Sequence, residues 1–227
     1  LDGLIQLTSK QGWLKPPTSA ILLPKNKYIL NTIDSLKMNQ ENPNQPFTLK
    51  WKIARNTSKE EESLLFKILN CLPPNARLRL DANAGLNWNQ AQKWAKHFHA
   101  DPRLEWFEQP LPANDLAGLF KLSEEIPVAL DESLFAQPSL RKNWQSWQVR
   151  RPLLEGDPRK LLKELNEGMG YRVLSTAFET GIGLRWIHHL AALQQQGPTP
   201  TAPGLAPGWC PSSPLFSSNP RTVWEAA

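Results

Sequence analysis

Cysteine is scarce, with only Cys71 and Cys210 in 227 residues. Two thiols cannot staple a disulfide framework, and their spacing matches no zinc motif. That scarcity suits a reducing compartment, so a cytoplasmic protein is expected. No apolar run approaches the roughly 18 residues that a membrane-spanning helix needs, and no membrane partner is expected. No charged-then-apolar leader pattern opens the chain, although it starts at Leu1, which leaves room for a segment upstream. There is no His-Glu-x-x-His pair and no phosphate-binding glycine loop, and Gly181-Ile182-Gly183 is too short for a dinucleotide fingerprint. His97, His99, His188 and His189 are therefore expected to be surface or packing residues.

What is present is enough for a folded core: 40% hydrophobic and 21% charged residues is not the composition of a disordered chain. The length allows one large domain or two small ones. Lys and Arg outnumber Asp and Glu by 26 to 21, a net +5, which suits an anionic substrate and does not demand nucleic acid. Of 21 prolines, many cluster over residues 198–220, which read as loop with at most one short strand. Residues 38–46 also read as a polar loop.

Between these stretches, short apolar runs alternate with longer helical patterns. The runs are residues 19–24, 46–54, 76–83, 104–110, 127–133, 147–152 and 171–178. Helices are expected over 58–70, 89–99, 114–125, 157–167 and 181–195. In the first, Leu64, Leu65, Ile68 and Leu69 share one face, and Ser58 with Glu61 resembles a capping box. Asn89 and Asp157 are candidate caps. Alternating strands and helices argue for a parallel sheet. Seven strands, with an eighth near Gly204–Trp209, fit a closed barrel better than an open sheet. The fold expected is α/β, a (β/α)7β-type TIM-like barrel. Trp51 is expected to point outward to the helices, and Trp94 and Trp186 to pack.

A barrel presents its active site at the C-terminal strand ends. Lys52, Asp81, Glu108, Asp131 and Arg151 fall at the ends of successive runs, spaced by 29, 27, 23 and 20 residues. Ser175 and Thr176 follow 24 and 25 residues later. Scattered solvent-facing charges would not keep this register. Asp81, Glu108 and Asp131, brought together from adjacent strands, cannot all stay ionised without a cation. Hard oxygen donors suit Mg²⁺, with Mn²⁺ as an alternative. Lys50 lies two residues from Lys52 and so on the same face. A second cation nearby favours a neutral Lys52 amine able to act as a base. A base beside a metal-bound carboxylate can remove the proton alpha to that carboxylate.

The segments carrying these residues are 48–54 (TLKWKIA), 78–84 (LRLDANA), 105–110 (EWFEQP), 129–134 (ALDESL), 149–156 (VRRPLLEG) and 174–184 (LSTAFETGIGL). In order and spacing, across about residues 19–210, they resemble the enolase superfamily, and within it the branch that forms 2-succinylbenzoate. The resemblance implies that Lys52 takes the alpha proton and then helps the hydroxyl leave, and that Asp81, Glu108 and Asp131 ligate Mg²⁺. It implies substrate contacts from Asn83, Ser175, Thr176, Glu179 and Gly181, with Lys50 alongside. Backbone N–H groups before the helix at 181 are candidates for a substrate carboxylate. The implied reaction is syn elimination of water from 2-succinyl-6-hydroxy-2,4-cyclohexadiene-1-carboxylate, and the implied partner is a small anionic carboxylate.

Two features depart from the family pattern. A lysine is usual before the proline at 152; here Arg151 stands there, and arginine stays protonated. It can act as a fixed cation, but a two-base racemisation is disfavoured. The family also carries an N-terminal α+β capping domain, here absent or mostly missing. Residues 1–18 are expected to be its remnant or a linker, 19–210 the barrel and 211–227 a tail. Three rivals remain. An N-acyl amino acid racemase or dipeptide epimerase keeps the fold. A structural barrel without activity keeps the fold and drops the chemistry. A nucleic-acid-binding protein would use Arg141, Lys142, Trp144, Trp147, Arg150, Arg151, Arg159 and Lys160, but no nucleic acid is expected because a solvated rim explains that stretch.

Overall fold

The computed structural model describes residues 12–24, 28–39, 47–209, 211–217 and 219–226. Most of the expected polar loop at 38–46, most of residues 1–18, and Cys210 lie outside them. The chain divides into two compact units, Ile21–Trp147 and Leu1–Ala20 with Gln148–Ala227. Among the described residues, seven strands alternate with helices along the chain, as the hydrophobic pattern predicts.

The first unit holds β1 (Ile21–Leu22), α1 (Ile29–Met38), β2 (Thr48–Lys52), α2 (Ser58–Cys71), β3 (Arg77–Asp81), α3 (Trp88–Ala100), β4 (Leu104–Glu108), α4 (Leu116–Ser123) and β5 (Val128–Leu130). Two short helices follow, α5 (Glu132–Ala136) and α6 (Leu140–Asn143). Strands β1 to β5 pair in sequence order, all parallel. Helix α1 was not expected. Its buried residues, Ile29 and Ile33, sit one helical turn apart among Asn, Thr, Asp and Ser, which are weak helix formers. Packing of that narrow apolar stripe, rather than propensity, makes it a helix.

Side chains alternate across a strand, and β2 shows the consequence. Leu49, Trp51 and Ile53 are buried on the helix side. Trp51 meets Trp94 of α3 edge to face, with ring centroids 6.2 Å apart, so both tryptophans pack as expected. Leu78, Leu80 and Phe107 join the same core, and Phe98 stacks on Phe107. Lys50, Lys52, Arg79 and Asp81 take the opposite parity.

Helix starts differ by one or two residues from the sequence reading. The capping box is Thr57 with Glu60 rather than Ser58 with Glu61, and Asn87 with Gln90 rather than Asn89 caps α3. Glu61 does something else. Its buried carboxylate accepts from the backbone N–H groups of Ala54 at 2.9 Å, Arg55 at 2.9 Å and Asn56 at 3.1 Å, clamping the turn that follows Lys52.

The second unit holds the end of β6 (Trp147–Arg150), α7 (Pro158–Asn166), β7 (Arg172–Leu174), α8 (Gly181–Gln194) and α9 (Pro220–Ala226). β6 and β7 pair in parallel, with Arg150 opposite Leu174. Asp157 caps α7 through Arg159 N–H, as expected. Leu161, Leu162 and Leu165 of α7 pack with Trp186, Ile187 and Leu190 of α8. The expected eighth strand shrinks to one bridge, Ser175 with Gly204. Gly204 bonds to Leu174 and Thr176, and Pro203 O accepts from Ala20 N–H at 2.8 Å. Pro203 and Pro207 lack N–H donors, and Pro207–Trp209 is a turn. The expected tail contains α9, whose Val223 is buried. No helix among the described residues is long and apolar enough to cross a membrane.

Two predictions follow from these contacts. Glu61→Ala leaves three backbone donors without their acceptor and lowers unfolding stability by about 1–3 kcal/mol, read from denaturant midpoints; an unchanged midpoint contradicts the clamp. His189 is fully buried, its Nδ1 accepts from Leu14 N–H, and burial holds its pKa below 6.5. The unfolded chain therefore takes up a proton that the folded one refuses, and the stability present above pH 6.5 is lost as pH falls through the lower folded value. His189→Gln, which keeps an acceptor, should cost less at pH 5.5 than at pH 8. An equal cost at both shows that His189 is not held neutral.

Candidate active site

The register of the first unit lines up the acidic and basic groups. Lys52 is opposite Asp81, and Asp81 is opposite Glu108. Glu108 pairs with Ala129, so Asp131 lies two residues beyond that row, at the N-cap of α5. Lys50 is opposite Arg79, one step below. Parallel register thus builds a row of charges on the sheet face that the apolar core does not use.

Lys50 reaches up into the row. Its Nζ lies 2.6 Å from Glu108 Oε1 and 2.9 Å from Asp81 Oδ2. Burial pulls its pKa down, but the Glu108 and Asp81 carboxylates outweigh that and hold it above the ordinary lysine value. Lys50 is therefore a fixed ammonium. Lys52 differs in its surroundings: 42% of its side chain is exposed, against 19% for Lys50. Its Nζ donates to Asn83 Oδ1 at 2.8 Å and stands 3.7 Å from Asp81 Oδ2. Of the two lysines, only Lys52 has the access to solvent that a substrate requires.

Glu108 is buried, and burial together with the charge of Asp81 pushes its carboxyl up to about 7. Lys50 opposes that rise and Asp131 adds to it. Asp81 Oδ2 is buried and lacks an aligned hydrogen bond. Hard oxygens and crowded negative charge fit a divalent cation such as Mg²⁺. Asp81 and Glu108 converge on the Lys50 ammonium, and Asp131 is near enough for its charge to add to the rise at Glu108. Among the described residues no three His, Cys, Asp or Glu side chains are arranged to hold an ion. The Lys50 ammonium lies between Asp81 and Glu108.

The turns after the strands are strained, with positive φ at Ala54, Asn83, Ala84 and Gln109. Such angles cost energy and collect at functional sites. Gln109 was not singled out from sequence, yet it is fully buried and organises the ligand loops. Its Oε1 accepts from the N–H groups of Asp131 and Ser133, both at 3.1 Å. Its Nε2 donates to Leu111 O at 3.0 Å and Ser133 Oγ at 2.7 Å. Glu132, also missed, accepts from Asn83 Nδ2 at 3.2 Å. Position beside Glu108 and Asp131 was the only sequence signal for either. Below the row, Arg79 is buried against Glu105 at 2.6 Å and over the Trp106 ring at 3.9 Å.

The other predicted residues lie in the second unit. Arg151 N–H donates to Glu155 Oε1 at 3.0 Å, and its Nη1 donates to Thr176 O. Thr176 Oγ1 donates to Glu179 Oε2, and Glu179 Oε1 accepts from Ala177 N–H at 2.9 Å. Phe178 N–H donates to Thr176 Oγ1 at 2.8 Å. Glu179 and the amides of 177 and 178 are thus engaged within the loop. Ser175 Oγ faces Gly204 O. Gly181 opens α8 under Ser217: a Cβ there would lie 1.8 Å from Ser217 O. The basic stretch at 141–160 is largely engaged too. Trp144 is buried and donates to Trp147 O. Arg150 is buried against Glu155 and Glu164, and Arg159 pairs with Asp157.

Residues 45–147 match the enolase C-terminal domain-like family, a span that includes both lysines and all three carboxylates. The chain is 33% identical over 153 residues to the o-succinylbenzoate synthase of Thermosynechococcus vestitus, covering 63% of this chain and 48% of that protein. It spans about half the length of the curated relatives it matches. The crystal structure of o-succinylbenzoate synthase from Thermosynechococcus elongatus, complexed with Mg in its active site, superposes with a TM-score of 0.76 at 27% identity, over 96% of this chain and 70% of that one. A dipeptide epimerase from Enterococcus faecalis superposes at 0.71 with 23% identity, over 92% and 60%, a likeness of fold.

Gln109→Leu leaves the N–H groups of Asp131 and Ser133 without their acceptor. It should lower stability by about 2–4 kcal/mol and weaken Mg²⁺ binding, read by calorimetry. Unchanged stability and Mg²⁺ affinity would show that Gln109 does not organise the loop.

Proposed function

We propose, from the premise that this chain belongs to the enolase superfamily through residues 45–147, that it is an o-succinylbenzoate synthase. The reaction is dehydration of 2-succinyl-6-hydroxy-2,4-cyclohexadiene-1-carboxylate to 2-succinylbenzoate. The fold that goes with this reading is a closed (β/α) barrel with a capping domain. The observation that carries it is the row of Lys52, Asp81 and Glu108 in register, with a relative of stated activity at 33% identity over 153 residues.

Lys52, as a neutral amine, removes the proton alpha to the substrate carboxylate. The resulting ammonium then returns a proton to the departing hydroxyl, so water leaves and the ring becomes aromatic. One base suffices because removal and return occur on the same face. Asn83 Oδ1 orients the amine during both steps. Lys50, a permanent cation, neutralises part of the charge of Asp81 and Glu108. Asp81, Glu108 and Asp131 would hold Mg²⁺, which when bound supplies positive charge to the substrate carboxylate as its alpha proton is lost. Arg151, in the second unit, is a fixed cation. Because it cannot give up its proton, a two-base epimerisation is disfavoured.

The test is formation of aromatic product, followed by absorbance, with the full chain and Mg²⁺. Lys52→Ala should reduce turnover by about 10²–10⁴-fold, and removal of Mg²⁺ by chelation should abolish it. Undiminished turnover in Lys52→Ala, or inversion at an amino acid alpha carbon in place of dehydration, overturns the reading.

A further inference from the structure

We propose that Glu132 is a positioning residue: it fixes the side-chain amide of Asn83, which in turn orients the Lys52 amine. The inference rests on the reading of Lys52 as the acid/base. Asn83 follows β3 with a φ of 44°, and its N–H donates to Asp81 Oδ1 at 3.0 Å. The backbone is thereby held, and the remaining freedom at this residue is rotation of the carboxamide. A half-turn would exchange its acceptor for its donors.

The surroundings decide which way it points. Oδ1 accepts from Lys52 Nζ at 2.8 Å and from Arg55 Nη2 at 3.3 Å. Nδ2 donates to Glu132 Oε1 at 3.2 Å. A flipped amide would aim an N–H at the Arg55 guanidinium and an oxygen at the Glu132 carboxylate, both repulsive, and would lose the acceptor that Lys52 uses. Without Glu132, the donor side would lose its partner among the described residues, and one of the forces that select the orientation would go.

Glu132 does not look like a scaffold residue. Glu61 spends its carboxylate on three backbone donors. Glu132 spends Oε1 on Asn83, while its Oε2 is buried with no hydrogen-bond partner. A carboxylate kept half-satisfied in a buried place is costly, and its one side-chain bond leads to the residue that holds Lys52. For a base, orientation matters. A neutral amine that donates one N–H to Asn83 Oδ1 has its rotation about the terminal bond restricted, so its lone pair points in a defined direction.

A double-mutant cycle tests this on the full chain with Mg²⁺ and the cyclohexadiene substrate. Glu132→Leu should lower kcat by about 10- to 100-fold with little change in KM. Glu132→Gln keeps an acceptor oxygen and should retain most of the activity. In an Asn83→Ala background, Glu132→Leu should add no further loss. Glu132→Ala replaces the leucine variant if that fails to fold. A second readout needs no turnover: the rate at which a water-soluble acylating reagent modifies Lys52 at fixed pH, measured by peptide mass. That rate should change in Glu132→Leu, hold in Glu132→Gln, and be insensitive to Glu132 once Asn83 is alanine. Equal loss from Gln and Leu, or a full loss persisting in the Asn83→Ala background, overturns the proposal. Unaltered turnover in Lys52→Ala overturns the dehydratase reading instead, and the labelling cycle still decides the Glu132 geometry.

Discussion

The central constraint is one buried ammonium between two buried carboxylates. Lys50, Asp81 and Glu108 lie on the face of a parallel sheet that the apolar core leaves unused. Burying any one alone would carry a desolvation cost of several kcal/mol. Together they are tolerable because the strands hold them within hydrogen-bond range before any substrate arrives. Trp51, one residue along, turns to the opposite side and packs with Trp94. The same alternation that makes the core makes the polar row.

Around that row, the rigid parts and the reactive part are separate. Lys50 is locked as a cation, Glu61 clamps the turn after β2, and Gln109 ties the loop after β4 to the loop after β5. Lys52 is the more exposed lysine, and it touches an amide rather than a strong counter-ion at hydrogen-bond distance. A group that must both take and give a proton is better served by such a neighbour than by a carboxylate at 2.6 Å. Positive φ at Asn83 and Gln109 is the local cost of turning the chain sharply enough to present these side chains.

The second unit repeats the pattern with different chemistry. Arg150, not Arg151, is buried, held by Glu155 and Glu164. Arg151 is anchored at its backbone by the same Glu155. Glu179 knits the loop before α8 from inside. Of the basic residues that looked like a binding strip in sequence, Arg150 is consumed by Glu155 and Glu164 and Arg159 pairs with Asp157.

The alternation of runs and helices, the repeat of charges at strand-end spacing and the outward face of Trp51 were legible in the sequence because they depend on periods of two and 3.6 residues and on unit length. Helix α1 escaped, since its stripe is narrow and its composition unfavourable, and the eighth strand was overestimated because prolines interrupt it. Gln109, Glu132 and Glu61 could not be assigned roles from sequence, as their partners are loop amides whose positions exist only after the strands are in register. Residue order alone thus determined which charges share a row. The folded chain decided which lysine is locked and which is open, because a side chain's reach and its neighbours are set by three-dimensional distance and not by spacing along the chain.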